Sequence, residues 1–209
     1  MKILIADDHT VVRKGLMEIV KDMPEVEEVD EAANATDVMQ KVENKIYDVL
    51  VLDISMPGKS GLDILKDLKI SVPDLHVLML STYPEELYAV RALKAGASGY
   101  LNKNTATEEL TIAIRKVAAG RKYISSSLAE QLAVNIGSNS DKLPHERLSD
   151  REFQVFRLVA EGKTLTEISE SLFLSNKTVS TYKTRILEKM DLKSSTEITR
   201  YAITNQIIE

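Results

Sequence analysis

The sequence predicts an α/β fold, a doubly wound sheet of five parallel strands, followed by a small all-α domain. Three observations lead there. Over roughly the first 120 residues, short apolar runs of strand length alternate five times with longer amphipathic runs of helical period. Beyond that stretch only helical periodicity is left. The charge divides in the same place: residues 1–120 carry 14 Lys+Arg against 20 Asp+Glu, a net −6, and residues 121–209 carry 13 against 12, a net +1.

The strand-like runs are 2–6, 26–30, 48–53, 75–80 and 98–101, with 26–30 the weakest. Val49 to Leu52 is unbroken apolar sequence, as expected of a strand buried on both faces. Helical periodicity fills 10–22, 35–45, 60–70, 85–95 and 106–119. Val38, Val42 and Ile46 step by four, as do Ile64 and Leu68. Thr105 to Glu108 has the pattern of a capping box before the last of these helices, and Gly120 suits its end. Crossovers between parallel strands are right-handed. A strand order of 2-1-3-4-5 then sets strands 1 and 3 side by side at the switch point, where open α/β sheets bind ligands.

Composition removes several classes of function. Without cysteine there are neither disulfides nor thiolate zinc sites. No apolar run approaches the ~20 residues of a membrane span, and the amino terminus is already a strand rather than a signal peptide. The expectation is a cytoplasmic protein with no membrane partner.

The predicted order brings chemistry to one rim of the sheet. Strand 3 ends on Asp53, and strand 1 runs into Asp7-Asp8-His9. A lone Asp there could simply cap a strand. Three carboxylates together repel unless neutralised, and a hard divalent cation with oxygen ligands, Mg²⁺, answers that need. Ser81 closes strand 4, and Lys103 follows strand 5. Acids, a hydroxyl and an ammonium on one rim suit a phosphoryl group carried on a carboxylate.

Asp7-Asp8, Asp53, Met56-Pro57, Gly61, Ser81, Tyr100 and Lys103 resemble, in order and spacing, the flavodoxin-like receiver domain of bacterial two-component response regulators. The resemblance implies that Asp53 accepts a phosphoryl group from a sensor histidine kinase. It implies that Asp8, Asp53 and the Ser55 backbone carbonyl bind Mg²⁺, with Asp7 holding a metal water. Lys103 would pair with the phosphoryl oxygens, Ser81 would hydrogen-bond them and move, and Tyr100 would swing inward as Ser81 moves. This chain has Ser81 where many receivers have Thr, and Asn104 where many have Pro. His9 follows the acid pair as in one subfamily; read on its own, it is a residue that begins a helix without any chemistry. Tyr100 could be a switch or a plain strand-edge aromatic.

Residues 121–145 form the expected linker, with a short helix over 127–136 capped by Ser125 to Ser127, then Gly137-Ser138-Asn139-Ser140-Asp141 and Pro144. From 146 the pattern is all helical. Ser149 to Glu152 and Thr164 to Glu167 are capping boxes, and Gly162 ends the helix between them. A short helix over 165–171, a tight turn at Phe173-Leu174-Ser175 and a longer helix over 176–190 read as helix-turn-helix. Residues 174–193 hold five basic side chains against two acids, which places the positive charge on the second helix, where a major-groove reader sits. Leu148-Ser149, Arg151-Glu152, Ala160 to Lys163, Glu167-Ile168 and Leu174 to Tyr182 resemble the LuxR-type helix-turn-helix. Joined to a receiver, the chain is similar to response regulators of the NarL/FixJ class.

On the second helix, Ser180, Thr181 and Thr184 are candidates for base edges, and Lys177, Lys183, Arg185 and Lys189 for phosphates. A homodimer on two half-sites of promoter DNA is the expected arrangement, with RNA polymerase a further partner. The final helix, 195–204, offers Ile198 and Tyr201 either to a dimer surface or to the core. Two other readings stand beside this one. A dehalogenase-like phosphatase would need an acid two residues after the nucleophile, where the chain has Ser55. A degenerate receiver used only for docking would not need the complete acid, hydroxyl and lysine set.

Overall fold

The structure, a computed structural model, describes residues 1–83, 85–126, 128–130 and 143–208. The chain divides into two compact units, Met1–Gly137 and Ser138–Glu209.

The first unit is a five-stranded parallel sheet in the order β2-β1-β3-β4-β5, as the sequence predicts. Its strands are β1 (Lys2–Ala6), β2 (Glu28–Ala32), β3 (Val49–Asp53), β4 (His76–Ser81) and β5 (Gly99–Asn102). Between and after them come α1 (Thr10–Lys21), α2 (Ala35–Asn44), α3 (Gly61–Ser71), α4 (Glu85–Lys94) and α5 (Ala106–Ala118). All five residues of β3 are buried, because helices cover both faces of the sheet. Leu16, Met17 and Val20 of α1 and Leu110, Ala113, Ile114 and Val117 of α5 pack on one face against Ile3, Ile5, Val49, Val51 and Leu78. α3 buries Leu62, Ile64, Leu65 and Leu68.

The weakest predicted strand is displaced. β2 starts at Glu28 rather than at residue 26, because Val26 and Glu27 close a turn onto the Met23 and Met1 carbonyls. It is an edge strand whose acids are neutralised from neighbouring elements. Lys45 Nζ reaches Glu28 and Asp30 at 2.6 Å each, and Arg13 and Lys14 reach Glu31 at 2.7 and 2.9 Å. Hydrogen bonds from those last two hold the Glu31 carboxyl down at about 2.

A second expectation fails at α5. Thr105 has helical rather than extended backbone and makes no side-chain cap; its hydroxyl lies instead on the Asn102 carbonyl and Glu109. Gly120 does end the helix region, with φ +74. The chain then returns along β5, where the Tyr100 N–H donates to the Tyr123 carbonyl and the Tyr123 N–H to that of Ser98. Of the expected helix over 127–136, Leu128 is buried and its N–H is capped by Ser125 Oγ at 3.1 Å. Leu132 and Ile136 lie outside the described residues.

The second unit opens with a 3-10 turn at Pro144–Arg147. Four helices follow: α6 (Asp150–Ala160), α7 (Leu165–Leu172), α8 (Asn176–Met190) and α9 (Ser195–Thr204). Both capping boxes form, at Ser149–Glu152 and Thr164–Glu167. Phe173 takes the left-handed conformation, φ 53, to make the tight turn between α7 and α8. The core joins Phe153, Phe156, Ile168, Leu172, Val179, Ile186, Met190, Ile198 and Ala202. Ile198 is therefore core, and Tyr201 is tied to His145 at 2.9 Å; the apolar residue that α9 leaves exposed is Ile203.

Candidate functional site

The acid rim assembles at the carboxyl ends of the strands. β1 and β3 pair directly, with Ala6 opposite Leu52, so Asp7 and Asp53 each stand one residue beyond a paired position. Asp7 and Asp53 are 0 % and 1 % exposed. Lys103, one residue past β5, places Nζ 2.6 Å from Asp7 Oδ2 and 2.8 Å from Asp53 Oδ2. Asp7, Asp8, His9 and Asp53 each offer one ligand atom, all within 4.8 Å of one another. The donor set is one that could hold a divalent cation.

The electrostatics follow from burial and proximity. Burial raises the Asp53 carboxyl most, Lys103 draws it down and Asp7 adds repulsion; the balance stays above the ordinary carboxylate value. Burial works against the Lys103 ammonium, but Asp53 and Asp7 outweigh it and hold its pKa above the usual value. The lysine is thus a fixed cation beside two buried acids. Asp53 Oδ1 also accepts the Ser55 N–H at 3.1 Å. Gly61, at the start of α3, lets that helix approach the strand: a Cβ there would collide with the Asp53 carbonyl oxygen.

Ser81 is 1 % exposed and its Oγ accepts the Tyr83 N–H at 3.0 Å. Tyr100 is already inside, 1 % exposed, with its hydroxyl on the Tyr83 carbonyl at 2.9 Å; burial foremost raises its pKa. Sequence reasoning missed Tyr83, which joins these parts. Besides those two bonds, its phenol accepts from Ser55 Oγ at 3.3 Å, and its ring stacks on Tyr88 of α4 at 4.6 Å. No periodicity marks such a residue; its place between Ser81 and the apolar face of α4 was the available signal. Asn104 is held by Asn102 Oδ1, which accepts its N–H at 2.9 Å. The loop after Lys103 is pinned without a proline.

On α8, the predicted side chains separate by face. Lys177, Ser180, Thr181, Thr184 and Arg185 are exposed, while Val179, Ile186 and Met190 are buried. Tyr182 and Lys183 are half-buried at the margin, and Lys183 lines a groove with Thr199, Arg200 and Ile203 of α9. The Thr181 and Thr184 hydroxyls donate to the carbonyls one turn earlier, at 2.9 and 3.2 Å, leaving their lone pairs outward. Lys189 sits apart from the other cations: its ammonium is 2.6 Å from Glu152, whose side chain is 4 % exposed.

Comparison with known proteins agrees with this geometry. The response regulator receiver domain matches residues 3–115, and the bacterial regulatory proteins of the luxR family match residues 146–202. The chain belongs to the response regulators that couple a receiver to a LuxR-type DNA-binding domain, the NarL/FixJ class. The oxygen regulatory protein NreC of Staphylococcus carnosus is 41% identical over 216 residues, covering 100% of both chains. The response regulator UvrY of Escherichia coli K12 is 35% identical over 204 residues, covering 97% of this chain and 94% of its own. RcsB from Salmonella enterica serovar Typhimurium, solved bound to promoter rprA in the presence of the phosphomimetic BeF3-, has a TM-score of 0.65 at 27% identity. That match covers 96% of this chain and 98% of RcsB. Among the described residues no helix is long and apolar enough to cross a membrane.

Proposed function

We propose that Asp53 is the phosphoacceptor of this response regulator and that its modification controls dimerisation, promoter binding and transcription. The carrying observation is Asp53 itself, buried at the end of the central strand with a lysine at 2.8 Å and Asp7 and Asp8 beside it. A carboxylate oxygen of Asp53 attacks phosphorus in a kinase phosphohistidine. The P–N bond breaks, and its electron pair returns to the imidazole. Asp8, Asp53 and the Ser55 carbonyl would hold Mg²⁺, with Asp7 on a metal water, and the ion would supply neutralisation of the phosphoryl oxygens. Lys103 is already positioned to follow those oxygens, and the Ser81 hydroxyl turns toward them.

The product carries about one further negative charge and new acceptor oxygens. Drawing Ser81 over must break or stretch its bond from the Tyr83 N–H, and that loop also holds Tyr100 and leads into α4. A surface biased in this way is the switch. For the dimer, α1 and α5 pack together and carry the exposed Val11 and Ile112. In the second domain, Ser180, Thr181 and Thr184 face base edges while Lys177, Lys183 and Arg185 meet phosphates; Lys189 shares its charge with Glu152. The domains are 1–120 and 146–209, joined by 121–145. The protein works in the cytoplasm, where sensor kinase, promoter and RNA polymerase are its partners. The promoter-bound RcsB structure with its phosphomimetic supports this reading.

Mass spectrometry after incubation with acetyl phosphate and Mg²⁺ tests it. An acid-labile adduct on Asp53, absent from Asp53→Ala, is the expected result; an unmodified Asp53 would contradict it.

A further inference from the structure

We propose that His9 is a nitrogen ligand to the divalent cation of the acid pocket, opening the pocket to nitrogen-preferring metals such as Ni²⁺ and Co²⁺ alongside Mg²⁺ and Mn²⁺. The inference rests on the metal-binding reading of the pocket and goes beyond it.

His9 stands at the residue before α1, a place where a side chain ordinarily caps the helix. Its side chain makes no cap. The ring turns back instead onto the acids, with Nδ1 2.7 Å from Asp8 Oδ1 and 3.4 Å from Asp7 Oδ1. The His9 backbone N–H also donates to Asp7 Oδ1, at 2.8 Å.

These separations fit coordination. Two ligands at right angles, each about 2.1 Å from a small octahedral cation, lie about 3.0 Å apart. The distances from Nδ1 to the two carboxylate oxygens fall on either side of that value. A cation entering here would take Nδ1 and the Asp8 oxygen together as ligands. The His9 side chain is 64 % exposed, so the ring can adjust by tenths of an ångström without disturbing the core.

The chemistry of such a site differs from that of carboxylates alone. Oxygen-only sites suit Mg²⁺ and Mn²⁺, while an imidazole favours later first-row metals in the order of their ligand affinity. His9 is therefore a selectivity residue: it contributes little toward Mg²⁺ and much toward Ni²⁺ or Co²⁺. A His9 that only hydrogen-bonds Asp8 would not discriminate among metals in this way.

The test uses the full chain without an affinity tag, as wild type, His9→Ala and His9→Gln. Calorimetry with Ni²⁺ and with Mg²⁺ gives affinities, and pulsed electron paramagnetic resonance of the Mn²⁺ form reports any directly bound nitrogen. The expected result is a nitrogen coupling in wild type that both variants lose. Ni²⁺ affinity should fall at least about tenfold in the variants, with Mg²⁺ affinity held within about threefold. Metal bound without nitrogen coupling, a coupling that persists in His9→Ala, or unchanged Ni²⁺ affinity each overturns the role of His9 while leaving the acid pocket intact. If wild type binds none of the three metals, the acid-pocket reading falls as well.

Discussion

Replacing Lys103 with Met keeps most of the stem and removes an ammonium that touches both buried acids. Lys103 Nζ lies 2.6 Å from Asp7 and 2.8 Å from Asp53, and neither carboxylate is more than 1 % exposed. Removing one partner of a buried ion pair costs about 3–5 kcal/mol, because the other charge stays behind unpaired. With a urea dependence of about 2 kcal/mol/M, the unfolding midpoint of the first domain should fall by roughly 1.5–2.5 M at neutral pH. The pH dependence has a definite sign. The Asp53 pKa is raised in the folded state, so its contribution to stability is greatest below the ordinary carboxylate range and is lost as pH rises through the folded value. Without Lys103 that loss deepens, so the variant should recover relative to wild type as the pH is lowered from neutral toward the carboxylate range. Mg²⁺ should also restore much of the loss, by supplying the missing positive charge. Urea titrations followed by circular dichroism, at neutral and mildly acidic pH and with and without Mg²⁺, read all three effects. A midpoint at neutral pH equal to that of wild type, or a deficit that acid does not shrink, would refute the electrostatic reasoning.

Other outcomes are expected along the chain. Gly61→Ala should push the Asp53 backbone aside and lower the rate of adduct formation with acetyl phosphate by about tenfold or more, since misplacement of a reacting group by an ångström can cost about a hundredfold. Glu152→Gln should destabilise the second domain by about 2 kcal/mol in thermal unfolding, through its weakened bonds to Lys189 and the Ser149 N–H, at 2.6 and 2.7 Å. Burial opposes the Glu152 charge, yet Lys189 and Ser149 outweigh it and lower its pKa. In wild type, this contribution is present above the ordinary carboxylate range and is lost as pH falls through the folded value. Lys177→Ala should weaken binding to all DNA sequences and flatten the log–log salt dependence by about 0.9 per protomer, measured by fluorescence anisotropy.

The sheet order was legible because Val49 to Leu52 is unbroken apolar sequence, and because the strands end on residues that only make sense together. The acid rim was legible for the same reason: strand ends fix positions, and parallel pairing fixes neighbours. β2 was misplaced by two residues because an edge strand needs little apolar sequence when Lys45, Arg13 and Lys14 neutralise its acids from outside. The Thr105 capping pattern failed because pattern matching does not give the backbone angle, and a helical Thr cannot turn its hydroxyl onto the third amide. Tyr83 and the pairing of Lys189 with Glu152 were invisible for a related reason, since both depend on contacts between elements far apart in sequence or on loop geometry. On α8, helical phase alone separated the exposed from the buried residues. It did not show that two threonine hydroxyls are spent on their own helix.

The switch works only if a phosphoryl group at Asp53 is felt by the DNA-binding domain. Anisotropy titrations of a promoter fragment selected from random DNA, with and without acetyl phosphate and Mg²⁺, measure that coupling directly. Wild type should bind about 5–150-fold more tightly when modified, the range of ordinary allosteric coupling, and Asp53→Ala should show no change. Equal affinity of the fully modified and unmodified wild type would contradict the account.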